Sequence, residues 1–302
     1  MLFTKYRNLN GIFLIDKPYG LSSNSVLKII KRILKINKIG HTGSLDPCAT
    51  GMLPICCGRA TKLSQFLINS NKRYHVIAKL GQQTSTSDSE GEIIKVKSIN
   101  FTIDKLLYVL RRFHGTIQQT PSMYSAIKYK GKELYKYARK GIVILRQSRK
   151  VYIYQLKLLG YKSKFLELDI ICSKGTYIRT LIEDLGEKLG CCAHVISLRR
   201  LQVGNYSYSK MINLSELNTL EKYNINGLNK IFISMDDFSL CFPEVNITSQ
   251  ISKYLKYRQS VNIKSSIKNQ FVRITEGLSK KFIGIGKINY NNNELFPFYL
   301  IL

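Results

Sequence analysis

Acidic residues are scarce in this chain: 19 Asp and Glu stand against 47 Lys and Arg, a formal net charge of +28 over 302 residues. Such a surplus exceeds what solubility needs and points to a polyanionic partner, nucleic acid first. Long apolar runs are also missing. The N-terminal "MLFTKYRNLNGIFLIDKP" has one short run before Asp16, and nothing approaches the roughly 20 residues of a membrane span, so a cytoplasmic protein is expected. No C-x-x-C spacing occurs. The seven cysteines fall as adjacent pairs (Cys56 and Cys57, Cys191 and Cys192) or singly, which argues for reduced core thiols over disulfides or a zinc site. Tryptophan is absent while Lys, Ile, Asn and Tyr abound. An A/T-rich coding bias produces the same usage, so charge carries functional weight only where it coincides with a site.

What is present suffices for a sizeable core, since 44% of residues are hydrophobic, enough for one large domain and a small one. "GIFLIDKP" reads as a buried strand ending before Pro18. In "SSNSVLKIIKRILKI", Val26, Ile29, Ile30, Ile33 and Leu34 share one helical face, Ser22 or Ser23 can cap, and Lys28, Lys31, Arg32 and Lys35 lie elsewhere. "KRYHVIAKLG" alternates as a half-buried strand. A helix is expected in "TIDKLLYVLRRFHG", with Ile103, Leu106, Leu107 and Leu110 inward and Gly115 stopping it. Two strands flank Gly160 to Lys164, and "GTYIRTLIEDLGEKLG" is helical, with Ile178, Leu181, Ile182, Leu185 and Leu189 inward and Gly190 as its cap. "NTLEKYNINGLNK" reads as polar loop, and from about Ile247 short strands alternate with turns.

One loop concentrates chemistry. "GHTGSLDPCATGMLP" holds His41, Ser44 and Asp46, the residue types of a hydrolytic triad. Triad members normally come from separate elements, and no G-x-S-x-G elbow is present, so a triad is rejected. A glycine-punctuated turn capped by Asp46 is the ordinary alternative. Two features favour chemistry instead. Only Asp16 and Asp46 are acidic across residues 1–87, so Asp46 is expected to be an isolated, ionised carboxylate in a positive field. Gly40, Gly43 and Gly51 leave room for a ligand to approach closely. Such an aspartate suits nucleophilic attack. Further along, "PSMYSAIKYKGKELYKYARKGI" interleaves Tyr124, Tyr129, Tyr135 and Tyr137 with Lys and Arg, offering phosphate contacts and stacking platforms for RNA or, more plainly, a solvated helical insertion.

These blocks, together with "DKPYGLSSNSV", "GRATKLSQF", "KRYHVIAKLGQQTSTSDSEGE" and "SKGTYIRTLIEDLGEKLGCCAHVISLRR", closely resemble the bacterial TruB family of tRNA pseudouridine synthases, in order from about residue 10 to 300. The resemblance implies an α+β fold: a mixed, mainly antiparallel central sheet with flanking helices, plus a small β-rich PUA-like C-terminal domain. It places a catalytic domain over 1–245, with an RNA-clamping insertion at about 118–145, and an RNA-binding domain over 246–302. It implies isomerisation of uridine 55 in the T-loop of tRNA by base flipping, with no cofactor and no metal.

By the same resemblance Asp46 is the catalytic aspartate, Tyr74 stacks on the flipped uracil and accepts the released proton, and Arg179 pairs with Asp46. Tyr177 and Leu198 line the base pocket, with Lys17 and Pro18 beneath it. His41 fills the space that the flipped base leaves in the RNA loop. The partner is tRNA, through its T-arm and acceptor end, and the protein is a monomer without an obligatory protein partner. Ser44 stands where the family commonly has threonine. Two other functions stay open at this stage: a chaperone of the tRNA elbow, and a guide-RNA-dependent synthase acting on ribosomal RNA.

Overall fold

A computed structural model of the chain describes residues 9–223, 225–263, 266–267, 270–289 and 293–301. The first eight residues and residues 290–292 lie outside the described residues, while the short apolar run before Asp16 lies within them. Ten strands form the larger sheet: β1 (Gly11–Lys17), β2 (Ile39–His41), β3 (Thr50–Cys57), β4 (Lys72–Leu80), β5 (Gly115–Gln119), β6 (Arg149–Lys162), β7 (Phe165–Cys172), β8 (Ala193–Val203), β9 (Tyr206–Ser207) and β10 (Ile233–Ser234). Their order is β10-β1-β3-β8-β4-β7-β6-β5, with β2 on β3 and β9 on β8. All these pairings are antiparallel except β3 with β8, where Thr50 and Gly51 face Arg199 and Arg200. The resemblance-based expectation of a mixed, mainly antiparallel sheet holds.

That parallel seam positions the site. The loop carrying Asp46 leads into β3, Leu198 and Arg200 lie on β8, and Tyr74 sits opposite Arg200 on β4. Gly51 permits the close approach: its φ is +97°, and a Cβ there would stand 2.3 Å from the Arg200 carbonyl oxygen.

Three helices cover the sheet where it matters. In α1 (Ser23–Leu34) the Ser22 hydroxyl accepts from the Ser25 amide, Val26, Ile30 and Leu34 are buried, and Lys28, Lys31, Arg32 and Lys35 face solvent as expected. In α2 (Ile103–Arg112) the buried stripe is Leu106, Val109 and Leu110, while Ile103 and Leu107 are exposed. The expected stripe is thus rotated, because Phe113, just past the helix, joins the core and turns Val109 inward. Gly115 opens β5 at φ +89° and does not itself end the helix. In α3 (Ile178–Leu189) Ile178, Leu181, Ile182, Leu185 and Leu189 are buried and Gly190 caps in the left-handed region, as read from sequence. Helices α2 and α3 share one core with β4, β7 and β8. Burying each large aliphatic side chain there contributes about 1.5–3 kcal/mol.

Two sequence readings are corrected here. The turn between β6 and β7 is Ser163 and Lys164, while Gly160 lies within β6 at a register shift. The segment read as polar loop forms helices Leu214–Tyr223 and Ile225–Ile231, because Leu217 and Leu228 bury into the core beneath α1.

A second sheet follows: β11 (Glu244–Ile247), β12 (Val261–Asn262), β13 (Phe271–Glu276), β14 (Lys281–Ile288) and β15 (Glu294–Leu300), in the order β11-β13-β14-β15-β12. A helix over Ser249–Lys256, unread in the sequence, accompanies it. Phe282, Ile285 and Tyr299 pack in one core with Ile12, Leu14 and Met52, so the small sheet is fastened to the large one. Phe66 reinforces that seam, its ring centroid 4.7 Å from Phe271 and 5.0 Å from Phe242. Among the described residues no helix is long and apolar enough to cross a membrane.

Candidate active site

Asp46 opens onto a cleft of about 300 Å³, walled by Tyr74, Leu198 and Arg200 from the sheet, Tyr177 and Arg179 from the start of α3, and Tyr124 to Ala126 from the insertion. Arg179 organises it. Only 6% exposed, the guanidinium places Nε 3.0 Å from Asp46 Oδ2 and Nη1 3.0 Å from Asp88 Oδ2. It also donates to the carbonyls of Thr86 (3.0 Å) and Tyr124 (2.8 Å). One buried cation thereby fixes the Asp46 loop, the 86–88 turn and the insertion, as a planar, fork-shaped donor can.

The expectation of an isolated Asp46 in a positive field is corrected. Asp88, just beyond the acid-poor stretch, shares Arg179 with it and is held by the Thr86 hydroxyl (2.5 Å) and the Glu90 amide (3.1 Å). Although 38% of the Asp46 side chain faces the open cleft, burial raises its carboxyl above the ordinary value, and Asp88 adds to the rise. Arg179, and more distantly Lys17, pull the other way and favour the anion.

Tyr74 is 9% exposed and presents its ring to the cleft. Burial raises its phenol, so it stays protonated at neutral pH, with the Arg200 charge as the main counterweight. Tyr177 is held at the N-terminus of α3 by Gln119, whose amide exchanges two hydrogen bonds with the Tyr177 backbone (3.0 and 2.8 Å). The Arg149 guanidinium lies 4.9 Å from the Tyr177 ring centroid.

Not every expected residue reaches the cleft. Lys17 is fully buried, and its ammonium donates to the carbonyls of Pro18 (2.8 Å), Leu21 (2.5 Å) and Pro47 (3.2 Å). It braces the turn after Asp46 from behind, and burial lowers its pKa to about 8. Pro18 is exposed and, like Lys17 and His41, is not among the lining residues. His41 adjoins Thr42 at the rim. Burial lowers its pKa, favouring the neutral ring, and among the described residues its Nδ1 has no hydrogen-bond partner.

Sequence reasoning missed three site residues. Asp88 carried a signal, as the first acid after Asp46. Arg200 did not: adjacent arginines on β8 diverge, Arg199 pairing outward with Asp16 (2.6 and 3.0 Å) while Arg200 turns in and donates to the carbonyls of Met52 (2.7 Å) and Gly43 (3.0 Å). Lys72, also lining the cleft, satisfies the carbonyls of Leu67, Ile68 and Ser70 at the end of the short helix Ser64–Asn69.

Cys48 stands beside this network and not in the core, and Cys241 is exposed, contrary to the expectation of core thiols throughout; all seven cysteines are free. Burial, then Asp88, push the Cys48 thiol up to about 12, which leaves it a poor nucleophile. Cys48, Asp88 and Glu90 bring potential ligand atoms within 4.8 Å of one another, but Asp88 is already committed to Arg179.

Residues 31–178 match the family model described as "TruB family pseudouridylate synthase (N terminal domain)". Residues 179–237 match "tRNA pseudouridylate synthase B C-terminal domain", and 243–300 match "Pseudouridine synthase II TruB, C-terminal". Among similar proteins, a tRNA pseudouridine synthase B of Buchnera aphidicola subsp. Baizongia pistaciae is 64% identical over 100% of both chains. One of Pectobacterium atrosepticum is 49% identical over 94% of this chain and 92% of that one. Among solved structures, a chain from "Crystal Structure of a Cbf5-Nop10-Gar1 Complex" superposes with a TM-score of 0.73 at 25% identity, covering 97% of this chain and 84% of that one.

Proposed function

The chain belongs to the TruB family of pseudouridylate synthases, and from that premise we propose that it isomerises uridine 55 in the T-loop of tRNA to pseudouridine, with Asp46 as the catalytic group. It is an isomerase acting on tRNA, as its relatives' names indicate. The observation that carries the site assignment is the Asp46 carboxylate held 3.0 Å from a buried arginine at the edge of a cleft with a tyrosine wall.

The reaction breaks the N-glycosidic bond between N1 and C1′, rotates the uracil and joins C5 to C1′. The hydrogen leaves C5 and N1 gains one, so substrate and product are isomers and no redox step is needed. Asp46 adds to C6 of the ring or attacks C1′. Both routes use the anion, which Arg179 favours against burial. The target base must leave its stack, and Tyr74 offers a replacement stacking face, with Leu198 and Tyr177 beside it. Stacking is the Tyr74 role that its buried, protonated phenol supports; taking up the C5 proton is disfavoured in the free pocket.

His41, neutral and with an unpartnered Nδ1 at the rim, suits the reading of an opened RNA loop. The insertion, with Lys128, Lys130, Lys132, Lys136, Arg139 and Lys140 exposed around Tyr129 and Tyr137, suits a clamp over the T-arm. Residues 246–302 serve as a PUA-like domain toward the acceptor end. The protein works in the cytoplasm as a monomer.

The test is to incubate the purified chain alone with an unmodified tRNA transcript and map pseudouridine by carbodiimide-dependent primer extension. A stop assigned to uridine 55 is expected. With folded protein and intact RNA, the absence of that stop sinks the reading, and a requirement for a guide RNA or partner protein would favour the guided type.

A further inference from the structure

A second cleft of about 300 Å³ lies at the seam of the two sheets, away from Asp46. Arg59 and Lys62 line it from a 3₁₀ helix (Gly58–Leu63) that follows β3, and Lys256 and Arg258 from the end of the helix Ser249–Lys256. Residues Pro297 to Leu300 of β15 form its floor. All four cations are exposed, and among the described residues none of them makes a salt bridge and no carboxylate lines the cleft. Glu276, outside the lining, feels the Lys256 charge.

Among the other described cations of the small domain, Arg273 pairs with Asp236 and Glu244 and Lys280 with Glu244, while Lys253, Lys281 and Lys287 make no salt bridge but do not gather around a concavity with the four. Four like charges gathered around one concavity repel each other unless an anion sits between them. The shared core of Ile12, Leu14 and Met52 with Phe282, Ile285 and Tyr299 fixes both banks of the cleft in place. The Arg59 charge also acts on the phenol of Tyr299 in the floor.

The cleft is tied to the base pocket by one piece of chain. The 3₁₀ helix runs directly into the helix Ser64–Asn69, whose Ile68 lines the base pocket. At rises of about 2.0 and 1.5 Å per residue, twelve residues bound that path at roughly 20 Å. A single RNA molecule spans this distance. We infer that the cleft is a phosphate-binding site for the sugar-phosphate backbone of the same RNA whose base enters the Asp46 pocket, with Arg59, Lys62, Lys256 and Arg258 as its ligands. The inference rests on the tRNA reading above.

The experiment compares Lys62→Gln/Arg258→Gln with Lys28→Gln/Lys31→Gln, which removes the same charge from the exposed face of α1. The dissociation constant for an unmodified tRNA transcript is measured at several salt concentrations. The cleft variant is expected to bind at least about 5-fold more weakly near 0.15 M salt, with the slope of log Kd against log salt reduced by about 2, one unit per lost phosphate contact. The α1 variant is expected to stay within about 1.5-fold of the unaltered protein. Equal losses in both variants would mean a diffuse field and overturn the site, as would no loss in the cleft variant. Pseudouridine formation by the unaltered protein, assayed alongside, separates the two readings: formation with unchanged binding by the cleft variant defeats the cleft alone, and no formation defeats the tRNA synthase.

Discussion

The base pocket and the seam cleft are both rich in cations, yet they hold their charge in opposite ways. In the pocket each inward cation is committed: Arg179 to two carboxylates and two carbonyls, Arg200 to the carbonyls of Gly43 and Met52, Lys72 to the end of a helix. At the seam four cations stand exposed, without a salt bridge among the described residues. One region is thus organised before RNA arrives, as chemistry requires, while the other leaves its donors to the ligand. Rate should therefore be lost in the first and affinity in the second.

The largest effect is expected from Asp46→Asn, which keeps size and loses the anion. Its kcat should fall by at least about 10³-fold, with Kd for tRNA within about 3-fold of the unaltered protein, measured by single-turnover and binding assays. Arg179→Lys comes next. It keeps a positive charge but cannot reach Asp46, Asp88 and two carbonyls at once, so kcat should drop about 10²-fold through misplacement of Asp46.

The same variant sharpens the electrostatics. Because burial raises the Asp46 pKa, the anion and the activity are lost as pH falls through that raised value, so the acid limb of the rate profile lies above the ordinary carboxylate range. Weakening the Arg179 pairing removes a force that lowers this pKa, and the limb should move to still higher pH. A limb that stays in place would contradict the assignment.

Lys17→Met tests a brace. Removing the buried ammonium takes a donor from the carbonyls of Pro18, Leu21 and Pro47, the last of which keeps the Gly20 amide, and should cost about 1–3 kcal/mol of stability, read as a lower Tm, with kcat affected less than in Arg179→Lys. The smallest effect is Arg149→Gln, which uncovers one face of Tyr177. Losing a cation–π contact worth about 0.5–1 kcal/mol should raise KM about 2- to 5-fold with kcat retained.

The parts of this site that were legible in the sequence lie in blocks with distinctive neighbours. Asp46, Tyr74, Tyr177, Arg179 and Leu198 were named from such blocks, and the fold gathers them around one cleft. Strand β4 and helix α3 were legible because their periodicity alone states which face is buried. Asp88 and Arg200 were not, because their importance arises only when distant segments meet: Asp88 reaches Arg179 across 91 residues, and Arg200 reaches Gly43 across 157. A strand's alternation sends Arg199 outward and Arg200 inward, and composition cannot say which. The helices around 214–231 were hidden for a related reason, since their few apolar residues become a face only against α1. Lys17 shows the converse. The resemblance placed it beneath the pocket, but only its three carbonyl partners reveal a brace and not a substrate contact.

The most direct test of the division between rate and affinity uses tRNA carrying tritium at C5 of uridine, whose release reports the loss of hydrogen from C5. Tritium release under single-turnover conditions and Kd are measured together for the unaltered protein, Asp46→Asn and Lys62→Gln/Arg258→Gln. Asp46→Asn is expected to bind tRNA normally but to release tritium at least about 10³-fold more slowly, while the seam variant's deficit is expected chiefly in Kd. Tritium release by Asp46→Asn at the unaltered rate, or a loss of the same parameter in both variants, would contradict that division.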